Sequence, residues 1–348
     1  MKCFRKLGCI LIVLILAHPY DAQEAKQLAP QPKTKAEYDA YIKIYNSKDM
    51  QKRALLAPQF IDNFPESDYR LAAYQLEIQA NAALGNHEKV VSVGETAVSA
   101  FPKATKKAKM YILQKMMYGY KQLNNSHKTV NIADTILTLD HDYLPALLIL
   151  SLVLPEFLPD EEEPRAQQLQ RALKMTQRAK QQIDSLINGA KPARISAAQW
   201  AKQKSELPAK IHSALGLIYF KKRDYQLSSK EYEQATSLVR GEGIDFYRMG
   251  ISYYQQARAI DRELTELVEA DNLDLVAKEK KETDFTAARD KAINSLAKVI
   301  VVKDSTPEAV VQAARDDLEL LYKNKNKESL EGLELVIADA ARDLQISP

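Results

Sequence analysis

Five histidines, two cysteines and one dense acidic run are the residues of this chain whose types suit chemistry. His18 lies in an apolar N-terminal stretch. His87, His127 and His141 fall where turns or helix ends are expected, and His212 sits within an apolar-periodic helix. No H-x₃-H, HExxH or histidine–carboxylate spacing suited to zinc occurs. The ten glycines form no GxGxxG or GxxxxGK[ST] phosphate cradle and no GxSxG nucleophile turn. Asp160-Glu161-Glu162-Glu163, bracketed by Pro155, Pro159 and Pro164, carries carboxylates that suit a divalent cation. The simpler reading is a solvated loop whose charges complement the N-terminus of a helix beginning at Pro164. These residues predict no catalytic site, no metal and no cofactor, and so no enzyme.

The cysteines carry a different message. Cys3 and Cys9 both lie in the first 22 residues, where a basic start (Lys2, Arg5, Lys6) precedes the unbroken apolar run Leu7 to Ala17. Such a run is shorter than the roughly 20 residues that span a bilayer, and it fits the hydrophobic region of a secretory signal. Residues 1–22 are therefore expected to be a signal peptide or an uncleaved N-terminal anchor. Ala22 would be the last signal residue, although Tyr20 is bulky for the position two before a cleavage site. A processed chain would hold no thiol and no disulfide. It would also be close to neutral, because residues 1–22 supply most of the formal +3, and nothing then draws it to nucleic acid.

Helices must position whatever function remains. The 348 residues are 46% hydrophobic and 27% charged, with few β-branched runs, a balance that favours helix. Gln23 to Lys35, with Pro30 and Pro32, reads as a flexible tether. From Ala36 the apolar spacing makes helix pairs. Tyr38, Tyr41, Ile42 and Tyr45 form the stripe of the first helix, and Leu55, Leu56, Phe60 and Ile61 that of the second, which Pro58 should kink or shorten. Phe64-Pro65, Phe101-Pro102 and Asp140-His141 close successive pairs, and Pro65, Pro102 and His141 stand 37 and 39 residues apart. Tyr143 to Leu154 reads as a buried helix. Asn188 to Glu206 reads as a connector.

The clearest unit is Pro208 to Arg240. Ile211, Leu215, Ile218 and Tyr219 share a helical face, Gly216 allows close approach, Lys222 to Tyr225 makes the turn, and Leu227, Tyr232, Ala235 and Leu238 return. Phe246, Met249, Gly250 and Tyr253 then repeat His212, Leu215, Gly216 and Tyr219 at an offset of 34. The charged stretch 258–284 reads as a helical insertion, followed by Ala292, Leu296 and Val299 on a second helix. These residues resemble the tetratricopeptide repeat (TPR), two antiparallel helices recurring at about 34 residues. The segments FPES (Phe64 to Ser67), HSALG (His212 to Gly216) and LYKNKNKESLEGLE (Leu321 to Glu334) are similar to exported TPR proteins of environmental Gram-negative bacteria. Arg240 in place of the usual closing proline, and Ser228 and Gly94 at core positions, depart from the pattern.

The resemblance implies an all-α, right-handed α-α superhelix with helical insertions. Its parts would be residues 36–187, a connector at 188–207, clear repeats at 208–304 and capping helices at 305–348. It also implies that first helices line a concave face. By that register Tyr111, Gln114, Tyr118 and Lys121 would face a groove in one pair. Lys210, Ser213, Leu217 and Phe220 would do so in another, and Ile244, Tyr247 and Tyr254 after it. Aromatic and amine side chains suit an extended peptide. The expected function is a non-enzymatic periplasmic or envelope scaffold for a protein or peptide partner, with no nucleic acid and no small-molecule substrate. The alternative is a membrane-anchored accessory of envelope assembly or secretion, touching the membrane only through an uncleaved N-terminus.

Overall fold

Short polar side chains mark where the helices begin. Thr34, Asp49, Thr105, Asn125, Ser196, Asp224 and Asp274 each accept a backbone N–H from the first turn that follows them, as N-caps do. The computed structural model describes residues 32–193, 195–269 and 274–345. Residues 1–22, expected to be a signal or anchor, and residues 23–31 of the tether lie outside this range, and the tether's last residue, Lys35, already begins a helix. Among the described residues there are fourteen α-helices, one 3₁₀ turn and no strand, so the all-α, helical-repeat expectation holds. The chain divides into two units at Leu154.

The first unit contains α1 (Lys35–Tyr45), α2 (Met50–Asn63), α3 (Arg70–Ala83), α4 (His87–Ala100), α5 (Lys106–Gln122), α6 (Ser126–Leu139) and α7 (Leu144–Val153). The helices pack in sequential pairs, and α1, α3 and α5 also touch in succession. Phe64 and Phe101 close the first two pairs with nearly identical backbone (φ/ψ −127°/62° and −124°/62°), each followed by proline. α7 is apolar on every side, and Leu144 through Ser151 are buried, as the sequence implies for a helix without a polar face.

Three findings in this unit correct the sequence reading. In α1 the buried residues are Glu37 and Ile44, while Tyr38 and Tyr45 face outward and Tyr41 stacks on Tyr69 at 4.4 Å. Leu55 is 62% exposed and Ala57 takes the inward place. Tyrosine serves at a solvated surface as readily as in a core, so a tyrosine stripe alone does not fix a helix's rotation. Pro58 does not shorten α2, which runs through it to Asn63.

The second unit contains α8 (Glu162–Asn188), α9 (Ala197–Lys221), α10 (Tyr225–Leu238), α11 (Gly243–Glu269), α12 (Leu275–Val301), a 3₁₀ turn (Lys303–Ser305), α13 (Glu308–Lys325) and α14 (Leu333–Leu344). Glu162 and Glu163 lie in the first turn of α8, where they complement its dipole, and no metal-holding group occurs among the described residues. The connector is shorter than expected. The capping box at Ser196 and Gln199 starts α9 at Ala197, so 197–207 is helix and Pro208 lies inside it.

Gly216 and Gly250 hold the repeats at close range. A Cβ on Gly216 would lie 2.9 Å from the ring of fully buried Tyr232, and one on Gly250 would meet Leu296 at 2.9 Å. Ser228, Tyr232 and Ala235 of α10 correspond to Ala292, Leu296 and Val299 of α12, all buried. The described residues of 258–284 form no separate element. They lengthen both helices of one pair equally. α11 continues 14 residues past Gln255, the counterpart of Lys221, and α12 begins 14 residues ahead of Arg289, the counterpart of Tyr225. Ala257, Ile260, Leu264 and Leu267 carry the seam outward with 3–4 spacing, the heptad period of paired helices. At about 1.5 Å per residue the extension adds about 21 Å.

One turn is used three times. At Leu84-Gly85-Asn86, Leu123-Asn124-Asn125 and Lys222-Arg223-Asp224 the middle residue is left-handed (φ 73°, 54° and 62°). The third residue's N–H donates to the carbonyl five residues back, at 2.9 Å each time. This is the Schellman closure, repeated in α3/α4, α5/α6 and α9/α10.

Candidate functional site

In the first unit the predicted residues sit on one stripe of α5. Tyr111, Gln114, Tyr118 and Lys121 recur at i, i+3, i+7 and i+10, and all four are half-buried. What holds this stripe in place is the opposite side of the helix. Gly119 brings α5 against α4, where a Cβ would meet Val91 at 2.8 Å, and Ile112, Met116 and Met117 fill the core. Burial pushes the Tyr118 hydroxyl up to about 12 and raises that of Tyr111 as well, so both are neutral donors. The Lys115 ammonium lies 5.7 Å from the Tyr111 ring centre, a cation–π contact. Nearby, Arg53 of α2 donates to the Gln79 side-chain oxygen at 2.8 Å and to the Ser47 carbonyl at 2.6 Å. This buried guanidinium joins the first pair to the second.

The second unit uses its register positions differently. Ser213 is buried, and its hydroxyl donates to Asp245 at 2.6 Å. It joins α9 to α11 and presents nothing to a groove, contrary to its predicted role. Leu217 is likewise core. Phe220 packs edge-on against Tyr225 at 5.5 Å in its own turn. Tyr247 donates to Asp317 of α13 at 3.1 Å, and Tyr247, Tyr254 and Ile244 pack on the core. Lys210 is half-buried and remains the charged residue of this set. Burial lowers its ammonium, opposed by Glu206 and Glu242.

Several polar residues of this unit were not anticipated. Burial pushes the Asp245 carboxyl up to about 6, against the pull of the Ser213 hydroxyl and Arg248. Arg248 pairs with Glu156, and His212 Nδ1 lies 2.7 Å from the Glu231 carboxylate. Asp245 and Arg248 stand three apart in the otherwise mostly apolar first half of α11, residues 243–254, the one sequence signal that could have marked them. Their partners, 32 and 92 residues away, had none. Among the described residues these groups make paired structural links and no nucleophile–base arrangement.

No family model matches the chain, and no curated protein matches it. Among solved structures it is similar to a tetratricopeptide repeat protein from Parabacteroides merdae. The identity is 12% and the TM-score 0.44, over 90% of this chain and 100% of that one. It is also similar to the APC/C hetero-tetramer Cut9-Hcn1, with 12% identity and a TM-score of 0.25, over 82% of this chain and 55% of that one. Within the chain, the 34-residue offset, the glycine–Tyr232 and glycine–Leu296 approaches and the thrice-used turn give helix pairs that resemble tetratricopeptide repeats in an all-α helical-repeat fold.

Proposed function

We propose that the chain is an exported, non-enzymatic scaffold that holds an extended segment of a protein partner along the α5 stripe. The observation that carries this reading is the row Tyr111, Gln114, Tyr118 and Lys121, held half-buried by a glycine-tight contact on the far side of the helix. Such a row offers apolar ring faces, neutral hydroxyl donors and an amide at one spacing. It suits a peptide backbone better than a flat apolar partner. The second unit contributes less to this reading, because its corresponding side chains are engaged by Asp245, Tyr225 and Asp317.

A photo-crosslinking residue at Gln114 is expected to trap a polypeptide in the native host, whereas the same residue at exposed Thr135 of α6 traps none. Equal capture at both positions, or none at Gln114, rejects the stripe. Export is part of the same proposal, supported by the basic start and the apolar run Leu7 to Ala17. The N-terminal sequence of the native protein tests it: a start near Gln23 in a soluble fraction agrees, and an intact Met1 in the membrane fraction points to the anchored accessory.

A further inference from the structure

A cleft of about 190 Å³ opens between α2, α3 and α4, and no residue of α1 or α5 lines it. It is therefore separate from the α5 stripe, and a ligand held there is independent of a partner segment on that stripe. Ile61, Tyr74 and Val93 give it apolar walls. Glu77 of α3 sits at its base, only 7% exposed, and Asp62 of α2 stands exposed beside it. Three hydroxyls, those of Tyr74, Ser92 and Thr96, also line the cleft, and none hydrogen-bonds the carboxylates. Ser92 donates to the Lys89 carbonyl and Thr96 to the Ser92 carbonyl. No described side chain hydrogen-bonds or ion-pairs with the Glu77 carboxylate. The charged groups that face it are Asp62 from α2 and Lys89 from α4, which act only through space.

The Glu77 carboxylate has no protein partner, but its oxygens open to the cleft's solvent; set into a largely buried residue it is poorly hydrated, and a bound cation offsets that cost. The cleft has the features of a receptor for a cation on an apolar stem. Its apolar lining matches a methylene chain, and two carboxylates, Glu77 and Asp62, line it beside the Tyr74 hydroxyl. We propose that the Glu77 cleft binds a primary alkylammonium group, with the four-carbon stem against Ile61, Tyr74 and Val93 and the ammonium between Glu77 and Asp62. The ammonium belongs either to a lysine side chain of a partner or to a free amine.

Ionisation of Glu77 supports a directional test. Burial, aided by Asp62 and opposed by Lys89, pushes its carboxyl up to about 7. A cation that needs the ionised form binds better as pH rises through that value. The experiment titrates the full chain by calorimetry with three probes at pH 5.5 and pH 8. They are n-butylammonium, a hexapeptide with one central lysine and free of other charge, and the same peptide with norleucine in place of lysine. The expected result is saturable binding of an ammonium probe that strengthens about tenfold or more between the two pH values and is lost in Glu77→Gln. Asp62→Asn is expected to weaken it a few-fold, and the norleucine peptide is expected not to bind. If only the peptide binds, the source is a partner's lysine; if n-butylammonium binds equally well, it is a free amine. Equal binding to wild type and Glu77→Gln overturns the proposal, as does the absence of saturable binding by both ammonium probes at pH 8. Circular dichroism and the thermal midpoint establish that Glu77→Gln, nearly isosteric, is folded.

Discussion

The α9/α10 and α11/α12 pairs are the same repeat built to two lengths. Both place a glycine in the first helix against a large buried residue of the second, Tyr232 in one and Leu296 in the other. Both bury three second-helix residues at i, i+4 and i+7. They differ in that α11/α12 carries 14 further residues on each helix, ending beyond a half-exposed seam. Fourteen residues are two heptads, so the added length returns the helix to nearly the same face. The packed base sets the repeat, and the length beyond it is free in steps that preserve the face.

The largest expected effect tests whether the two bases are equivalent. Gly216→Val and Gly250→Val each force a branched side chain into a gap already closed to 2.9 Å. Each should cost about 3 kcal/mol in urea unfolding, and a large difference between them would break the comparison. A smaller effect is expected in the extension. Leu264→Ala with Leu267→Ala removes two half-exposed side chains. The double variant should cost about 1 kcal/mol or less, with hydrogen exchange accelerating in 258–284 and not around Leu296. A cost near that of the glycine variants would show that the extension stabilises the base. The smallest effect is at the turn of the shorter pair. Arg223 sits at φ 62°, where glycine carries no steric penalty. Arg223→Gly should raise stability by about 0.5 kcal/mol, read as a small increase in the thermal midpoint.

The repeat was legible because its signals are local. Gly216 and Gly250, their large neighbours and the offset of 34 can be counted along the chain, and α7 declared itself by lacking any polar face. The extension was also legible in part, since no glycine or proline interrupts 251–306. The charge density of 258–284 leaves only Leu264, Leu267 and Val268 as a weak stripe in the sequence, without the Ala257 and Ile260 that continue the seam. The rotation of α1 was not legible, because three tyrosines and an isoleucine satisfy a stripe whichever way the helix turns, and the neighbouring Tyr69 decides it. The candidate site fared worst at Ser213. A small hydroxyl at a groove position became a link only because Asp245 comes to meet it from the next pair. Glu77 escaped notice for the same reason, as its burial depends on α2 and α4 together.

The recurring Schellman turn also bears on how the chain is made. It closes three pairs from residues adjacent in sequence, and in the first unit the links between pairs are short. Glu37 to Ser67, Arg53 to Gln79 and Glu95 to Tyr120 span 30, 26 and 25 residues. Little of that unit must wait for distant sequence, and low contact order favours rapid acquisition of structure. A polypeptide delivered end first through a narrow passage can thus zip up pair by pair on the far side, each finished pair offering a template to the next and hindering backsliding of the thread.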